Sequence, residues 1–361
     1  MGLTGKALFQ GGLAGGFFKK DGRKARGAER FREAGLVIFI VVVSAVVQAR
    51  NKEFLTAINI NQLLVNTAIL GILAIGMMMV LLTGGIDLSI GATMAFSGMV
   101  TALTCFARPS IPPVVLVLEG ALIGAGFGLL IGLLVARFSI LPIIASLGLM
   151  NVIRGLTYVV SKGSWVSAYQ MSDAFKGMAT GRFLGVNNLI VIAVALYIVF
   201  FYFITYTRTG RRIYAVGSNA EAAGIIGLPR RRIVTLVYLL MGALSGLAGV
   251  LWVAKFASAQ GDTAAGYEMN VIASCVLGGV SVSGGRGKVS GLILGVILFG
   301  ILANALPLIN VSPFWQQAIQ GVVILAAIIT NVLIKRNNDK AVLRARAAAI
   351  AGKTSKTGGA S

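Results

Sequence analysis

The 361-residue chain contains no histidine and only two cysteines, Cys105 and Cys275, both inside apolar stretches. No metal centre built on His or Cys is expected, nor a His-activated nucleophile or a disulfide framework. Charge is scarce as well: 12% of residues are charged against 57% hydrophobic, and mean hydropathy is +0.88. A water-soluble domain of this size needs far more polar surface, so the composition points to a chain dissolved in lipid. Acids are the rarest charge, 11 Asp and Glu against 32 Lys and Arg, for a net charge of +21. In a soluble chain that excess would suggest nucleic acid. At the ends of apolar runs it is what bilayer topology demands, and no nucleic-acid partner is expected.

Long apolar runs are present in quantity, as in the uncharged stretch Ile233 to Ala254. About 20 helical residues at ~1.5 Å each cross a ~30 Å hydrocarbon core. Hydropathy and breakers predict an all-α polytopic transmembrane helix bundle of about ten spans, at 34–48, 62–82, 88–106, 112–136, 140–160, 188–206, 233–255, 269–283, 289–306 and 314–334. All seven prolines fall in or beside the predicted turns, where a missing N–H does least harm. About thirty mixed residues precede the first run, so that run reads as an uncleaved span rather than a signal peptide.

Charge then orients the bundle. With both termini cytoplasmic, 1–33 forms a basic N-terminal segment, 34–334 the transmembrane domain and 335–361 a basic tail. Lys and Arg concentrate on that side: eight precede residue 35, six lie in the loop 207–232 and seven follow residue 334. The loop 161–187, carrying Trp165 and Tyr169, lies outside.

Several residues stand out from the apolar background. Gly120, Gly124, Gly128 and Gly132 repeat every fourth residue, the spacing that lets helix backbones approach closely in lipid. Asp87 follows two glycines and opens an apolar helix, so its carboxylate is placed to cap free N–H groups; alternatively the junction is a broken helix lining a cavity. Glu119 and Arg154 lie at matching depths, roughly 10 Å inside their spans, and form a candidate intramembrane ion pair. Asn66, Asn151 and Asn304 are read as interhelical hydrogen-bonding groups or, with Asp87 and Ser89, as a translocation path that binds hydroxyls. Two glycine-rich junctions, LTGGIDLSIGA at 82–92 and LGGVSVSGGRG at 277–287, look alike and hint at a duplicated half. No GxxxxGK[ST] phosphate loop occurs, since GGRGKVSG at 284–291 lacks the spacing; any ATP-driven step needs another chain.

The stretches LLTGGIDLSIGA (81–92), GRRIYAVGSNAEAAGIIGLPRRRI (210–233), GALSGLAGVLW (242–252) and AGYEMNVIASCVLGGVSVSGGRGKVSG (265–291) carry a resemblance to a known family. Together they resemble the permease subunits of bacterial ABC importers for monosaccharides of the ribose, xylose and arabinose type, in the branched-chain-amino-acid/sugar permease superfamily. Asn270 stands where that pattern carries an acid, and Ala305 interrupts its Asn-Gly pattern. The resemblance implies a multi-pass protein of the inner membrane that imports a monosaccharide or small polyol by alternating access and is not itself an enzyme. It implies a second permease copy or homologue, a cytoplasmic ABC ATPase that uses ATP and Mg, an extracytoplasmic sugar-binding protein, and no cofactor on this chain. Carried over by position, 220–228 would couple to the ATPase, with Glu221, Ala222, Ala223, Gly224, Gly227, Leu228 and the following Pro229 as its residues. The rival expectations are an ion-coupled secondary transporter, which needs an acidic relay at midplane, and a membrane scaffold or receptor, which needs an added soluble domain.

Overall fold

A computed structural model describes residues 33–312 and isolated positions from Phe314 to Ile329. The segments 1–32 and 335–361 and most of the expected span 314–334 lie outside the described residues. Among the described residues, eight helices are long and apolar enough to cross a membrane: α1 (Glu33–Arg50), α2 (Ala57–Leu82), α3 (Ile90–Ala107), α4 (Pro113–Arg137), α5 (Pro142–Ser161), α7 (Asn188–Tyr206), α10 (Arg230–Phe256) and α12 (Val289–Leu308). Shorter helices are α6 (Asp173–Thr180), α8 (Arg208–Ser218), α9 (Ala220–Ile225) and α11 (Tyr267–Leu277). The only strands among the described residues, β1 (Arg182–Phe183) and β2 (Val186–Asn187), pair antiparallel around Leu184 and Gly185, both at positive φ. The chain is an all-α polytopic bundle.

Beyond Asn66 helix α2 is apolar nearly all round, and every residue from Thr67 to Leu82 is buried, with Met77, Met78 and Met79 fully enclosed. A segment of that kind belongs at the centre, and α7, α10, α11 and α12 surround it, with α8 against its end. Helices α4 and α7 instead present Leu118, Leu122, Val194 and Ile198 outward, as a lipid-facing surface requires.

The glycine spacing on α4 becomes a seam against α10. A methyl group on Gly124 would land on the carbonyl oxygen of Gly242, one on Gly242 would land on the carbonyl of Gly124, and Gly128 sits equally close to Tyr238. Backbone packing of this closeness takes the place of a hydrophobic force that lipid does not supply.

Three boundaries differ from the expected spans. The run 269–283 yields α11, only 11 residues and roughly 16 Å long, about half the hydrocarbon thickness. It stops because Gly278 and Gly279, the latter at φ 81°, turn the chain away. Residues 83–89 are not helical, so α3 starts at Ile90. The hydroxyl of Tyr238 donates to the carbonyl of Ile86 (3.3 Å), whereas Gly249 packs on Met94. From Tyr238 to Gly249 is about three turns of α10, so the chain from Ile86 through the first turn of α3 to Met94 climbs roughly 16 Å along the bundle. Pro307 lies within the last turn of α12 rather than in a loop; its missing N–H takes away one i→i−4 bond at the helix end, where the ladder is about to stop.

The Arg208–Arg232 stretch holds α8, α9 and the first turn of α10. The end of the bundle that carries it, together with the last turn of α2 and the loop 278–288, is termed the basic end. At the opposite end α6 packs Phe175 and Ala179 inward, and Ser172 caps its first turn. Lys176 bonds the exposed Asp173 carboxylate at 2.8 Å and holds its carboxyl below the usual range.

Candidate functional site

Two irregular segments meet inside the bundle. The first, 83–89, places Asp87 where it is 1% exposed, and its Oδ1 accepts from both the Ser89 N–H (2.9 Å) and the Ser89 hydroxyl (2.7 Å). The carboxylate therefore closes on the residue before α3 and makes no bond to the helix's first-turn N–H groups. The second segment, 257–266, runs from α10 to α11 through left-handed turns at Ala257, Ala264 and Gly266. Its Ala264 carbonyl lies against Gly91 in the first turn of α3, where a side chain has no room, and a carboxylate oxygen of Glu268 faces the same glycine. Non-helical backbone at this depth is tolerated only where it is enclosed by protein or lines a cavity.

The second segment does line a cavity, of about 290 Å³, bounded by Trp252, Phe256, Ser258, Gln260, Asp262, Thr263 and Ala264. Trp252 and Phe256 lie one turn apart on α10 with ring centroids 4.7 Å apart, and Tyr267 meets Trp252 edge-on at 5.4 Å. Opposite these rings are two hydroxyls, an amide and the exposed Asp262 carboxylate. Apolar rings against a few convergent polar groups suit a small solute with one apolar face and a hydrogen-bonding edge. Arg154 holds the wall: its Nη1 donates to the carbonyls of Gly261 and Thr263, both at 2.8 Å. The Val166–Ala259 bridge ties the segment to the loop that follows α5, at the end of the bundle opposite the basic end.

That geometry corrects the expected ion pair. Arg154 does not meet Glu119, because the carbonyls of an irregular segment need donors where water is excluded, and a guanidinium supplies several. Glu119 instead accepts from the Thr104 hydroxyl at 2.9 Å, joining α4 to α3.

The other expected path residues divide. Asn66 accepts from the Lys255 ammonium at 2.6 Å, and that ammonium lies 4.8 Å from the Phe256 ring centre, so Asn66 reaches the cavity only through Lys255 and is not part of its lining. Asp87 and Ser89 lie across Gly91 from it. Asn304 is far from this group: it exchanges amide bonds with Asn59 (3.0 and 3.1 Å), joining α12 to α2. Asn151 is exposed on α5 and bonds only the Leu147 carbonyl of its own helix. Sequence reasoning missed Trp252, Phe256, Gln260 and Asp262. The available signal was the aromatic pair Trp252 and Phe256 at one-turn spacing just before a polar run.

At the basic end, α9 is capped by the Asn219 side chain, which accepts from the Ala222 N–H at 2.9 Å, and it ends on Gly227 at φ 75°. Ala223 is buried, whereas Glu221, Ala222, Gly224, Gly227 and Pro229 are exposed and Leu228 is half-buried. Ile225 and Ile226, 87% and 72% exposed, add an apolar surface beside Glu221 that the composition of the loop did not advertise.

Residues 59–328 match the family model described as the branched-chain amino acid transport system permease component. The chain belongs to this family. This permease is 39% identical over 295 residues to the ribose import permease RbsC of Bacillus subtilis, covering 82% of this chain and 90% of the relative. It is 35% identical over 321 residues to the L-arabinose ABC transporter permease AraH of Azospirillum brasilense, covering 88% and 93%. Against RbsC of Escherichia coli K12 the identity is 36% over 297 residues, covering 82% and 92%. No solved structure matches the chain. A permease that crosses the membrane several times is a transport subunit, not an enzyme.

Proposed function

We propose that this permease is the membrane subunit of an ATP-binding-cassette importer that moves a monosaccharide or similar polyol across the inner membrane by alternating access. The cavity between Trp252, Phe256, Gln260 and Asp262 carries the reading, because aromatic faces suit the C–H face of a sugar ring while the carboxylate and amide suit its hydroxyls. The names of the ribose and arabinose relatives agree with it. In this account both termini are cytoplasmic, 1–33 and 335–361 flank the membrane domain, and the exposed α9 surface docks a cytoplasmic ATPase that consumes ATP and Mg. A second permease copy completes the path, and a sugar-binding protein docks on the outer loop 162–187. ATPase closure then biases the bundle between inward-open and outward-open states through differential contacts.

The test is uptake of a labelled pentose and hexose panel by the complete complex in proteoliposomes. Trp252→Ala is expected to raise KM by about tenfold, the equivalent of ~1.4 kcal/mol of lost stacking, with ATP hydrolysis little changed. Sugar uptake that proceeds without ATP, or a KM indifferent to Trp252 and to Asp262→Asn, removes the reading.

A further inference from the structure

The two look-alike glycine junctions, 82–92 and 277–287, are remote in sequence and meet at one point on the basic end. The carbonyl of Leu82, the last residue of α2, accepts from the N–H of Gly285 at 2.9 Å. The same carbonyl fills the space where a side chain on Gly217, in the last turn of α8, would stand. Gly284 lies against the Gly217 carbonyl and the Gly84 nitrogen, and Gly285 against Ser218. Tyr214, one turn earlier on α8, donates its hydroxyl to the Gly287 carbonyl at 2.8 Å. Gly84, Gly284 and Gly285 have φ of 78°, 87° and 70°, so their backbones take left-handed turns that a Cβ would strain.

Three chain segments thus touch backbone to backbone with no side chain between them. Side chains accommodate displacement by changing rotamer, but bare backbone in contact passes it on, and packed interfaces of this kind shift as units. Each segment leads somewhere that matters. Leu82 opens the irregular run that places Asp87 and starts α3. Gly284 and Gly285 lie in the loop between α11 and α12. Gly217 is followed, after Ser218, by Asn219, the cap of the exposed α9.

We infer that the Gly217–Leu82–Gly285 contact is the mechanical linkage of this permease: displacement of α9 is delivered through the end of α8 to both glycine junctions at once, and through them to α3, whose Gly91 packs on the cavity-lining Ala264, and to α11, whose Tyr267 meets Trp252. Gly217 and Tyr214 are positioning residues for transport. This inference rests on the reading of α9 as the surface that meets the ATPase.

The experiment measures ATP hydrolysed per sugar imported by the complete complex in proteoliposomes, at equal amounts of assembled complex. Tyr214→Phe removes one hydroxyl and keeps the ring; it is expected to raise that ratio several-fold without changing KM for the sugar. Gly217→Ala is expected to raise it by about tenfold. A ratio equal to that of the parent protein in Tyr214→Phe overturns the linkage, even where Gly217→Ala does not assemble. Glu221→Lys separates the two ideas, because it tests docking alone. ATPase that co-purifies with and hydrolyses normally beside Glu221→Lys removes the docking reading. Lost co-purification together with a parental ratio in Tyr214→Phe keeps docking and overturns the linkage.

Discussion

A single methyl group probes the α4–α10 seam. Gly124→Ala places a carbon on the Gly242 carbonyl, whereas Gly126, in the same helix, has open space in front of it. Overpacking of this kind costs about 1–3 kcal/mol, so Gly124→Ala is expected to lower the Tm of the detergent-solubilised protein by several degrees and Gly126→Ala to leave it unchanged. Equal melting temperatures for the two variants would show that the helices are not in backbone contact. The four-residue glycine spacing was legible because it lies within one helix. The partner of Asn304 was not, because Asn59 is 245 positions away and only the register of α12 against α2 brings the amides together. A double-mutant cycle with Asn59→Leu and Asn304→Leu is expected to give coupling of roughly 0.6 kcal/mol, the usual value for such bonds in lipid, with sugar KM unaffected. A changed KM without lost stability would return Asn304 to the path.

At the scale of elements, the apolar runs were read correctly where they are continuous helices. They misled at 269–283, where apolar composition persists through a loop. Hydropathy scores whether residues tolerate a dry environment, and a buried irregular segment tolerates it as a helix does, provided that other groups satisfy its backbone. In the loop after α11, Tyr214 does so for Gly287, and in the separate segment 257–266 Arg154 does so for Gly261 and Thr263. Arg154→Leu is therefore expected to weaken transport by loosening the cavity wall, while Arg154→Lys, which supplies fewer donors, restores it in part. Full transport in Arg154→Leu would show the wall to be held otherwise. The surface of α9 makes a second test. Because the native cysteines are buried, Glu221→Cys is expected to react with a membrane-impermeant thiol reagent only after intact cells are opened. Reaction from the exterior would invert the orientation.

For the molecule as a whole, the choice between an ATP-driven importer and an ion-coupled transporter turns on the acids inside the bundle. Asp87 is closed on Ser89, and Glu119 is held by Thr104 on a different helix pair. Glu268 faces Gly91 nearby, and among the described residues no hydrogen bond joins these three acids to one another. Uptake by the reconstituted complex is therefore expected to survive ionophores that abolish proton and sodium gradients and to stop when ATP is withheld. Uptake that follows a gradient instead would favour the rival.

Composition and periodicity by themselves determined that this chain lives in lipid, where its long continuous helices run and that α4 packs on glycine, because each is a property of neighbours along one strand of chain. Only the tertiary structure decided that Arg154 braces a loop rather than pairing with Glu119, that Trp252 and Phe256 wall a cavity with Asp262, and that two distant glycine junctions close on the end of α8. Those outcomes depend on which carbonyls the broken helices leave without partners and on what stands beside them, and a one-dimensional pattern holds no record of either.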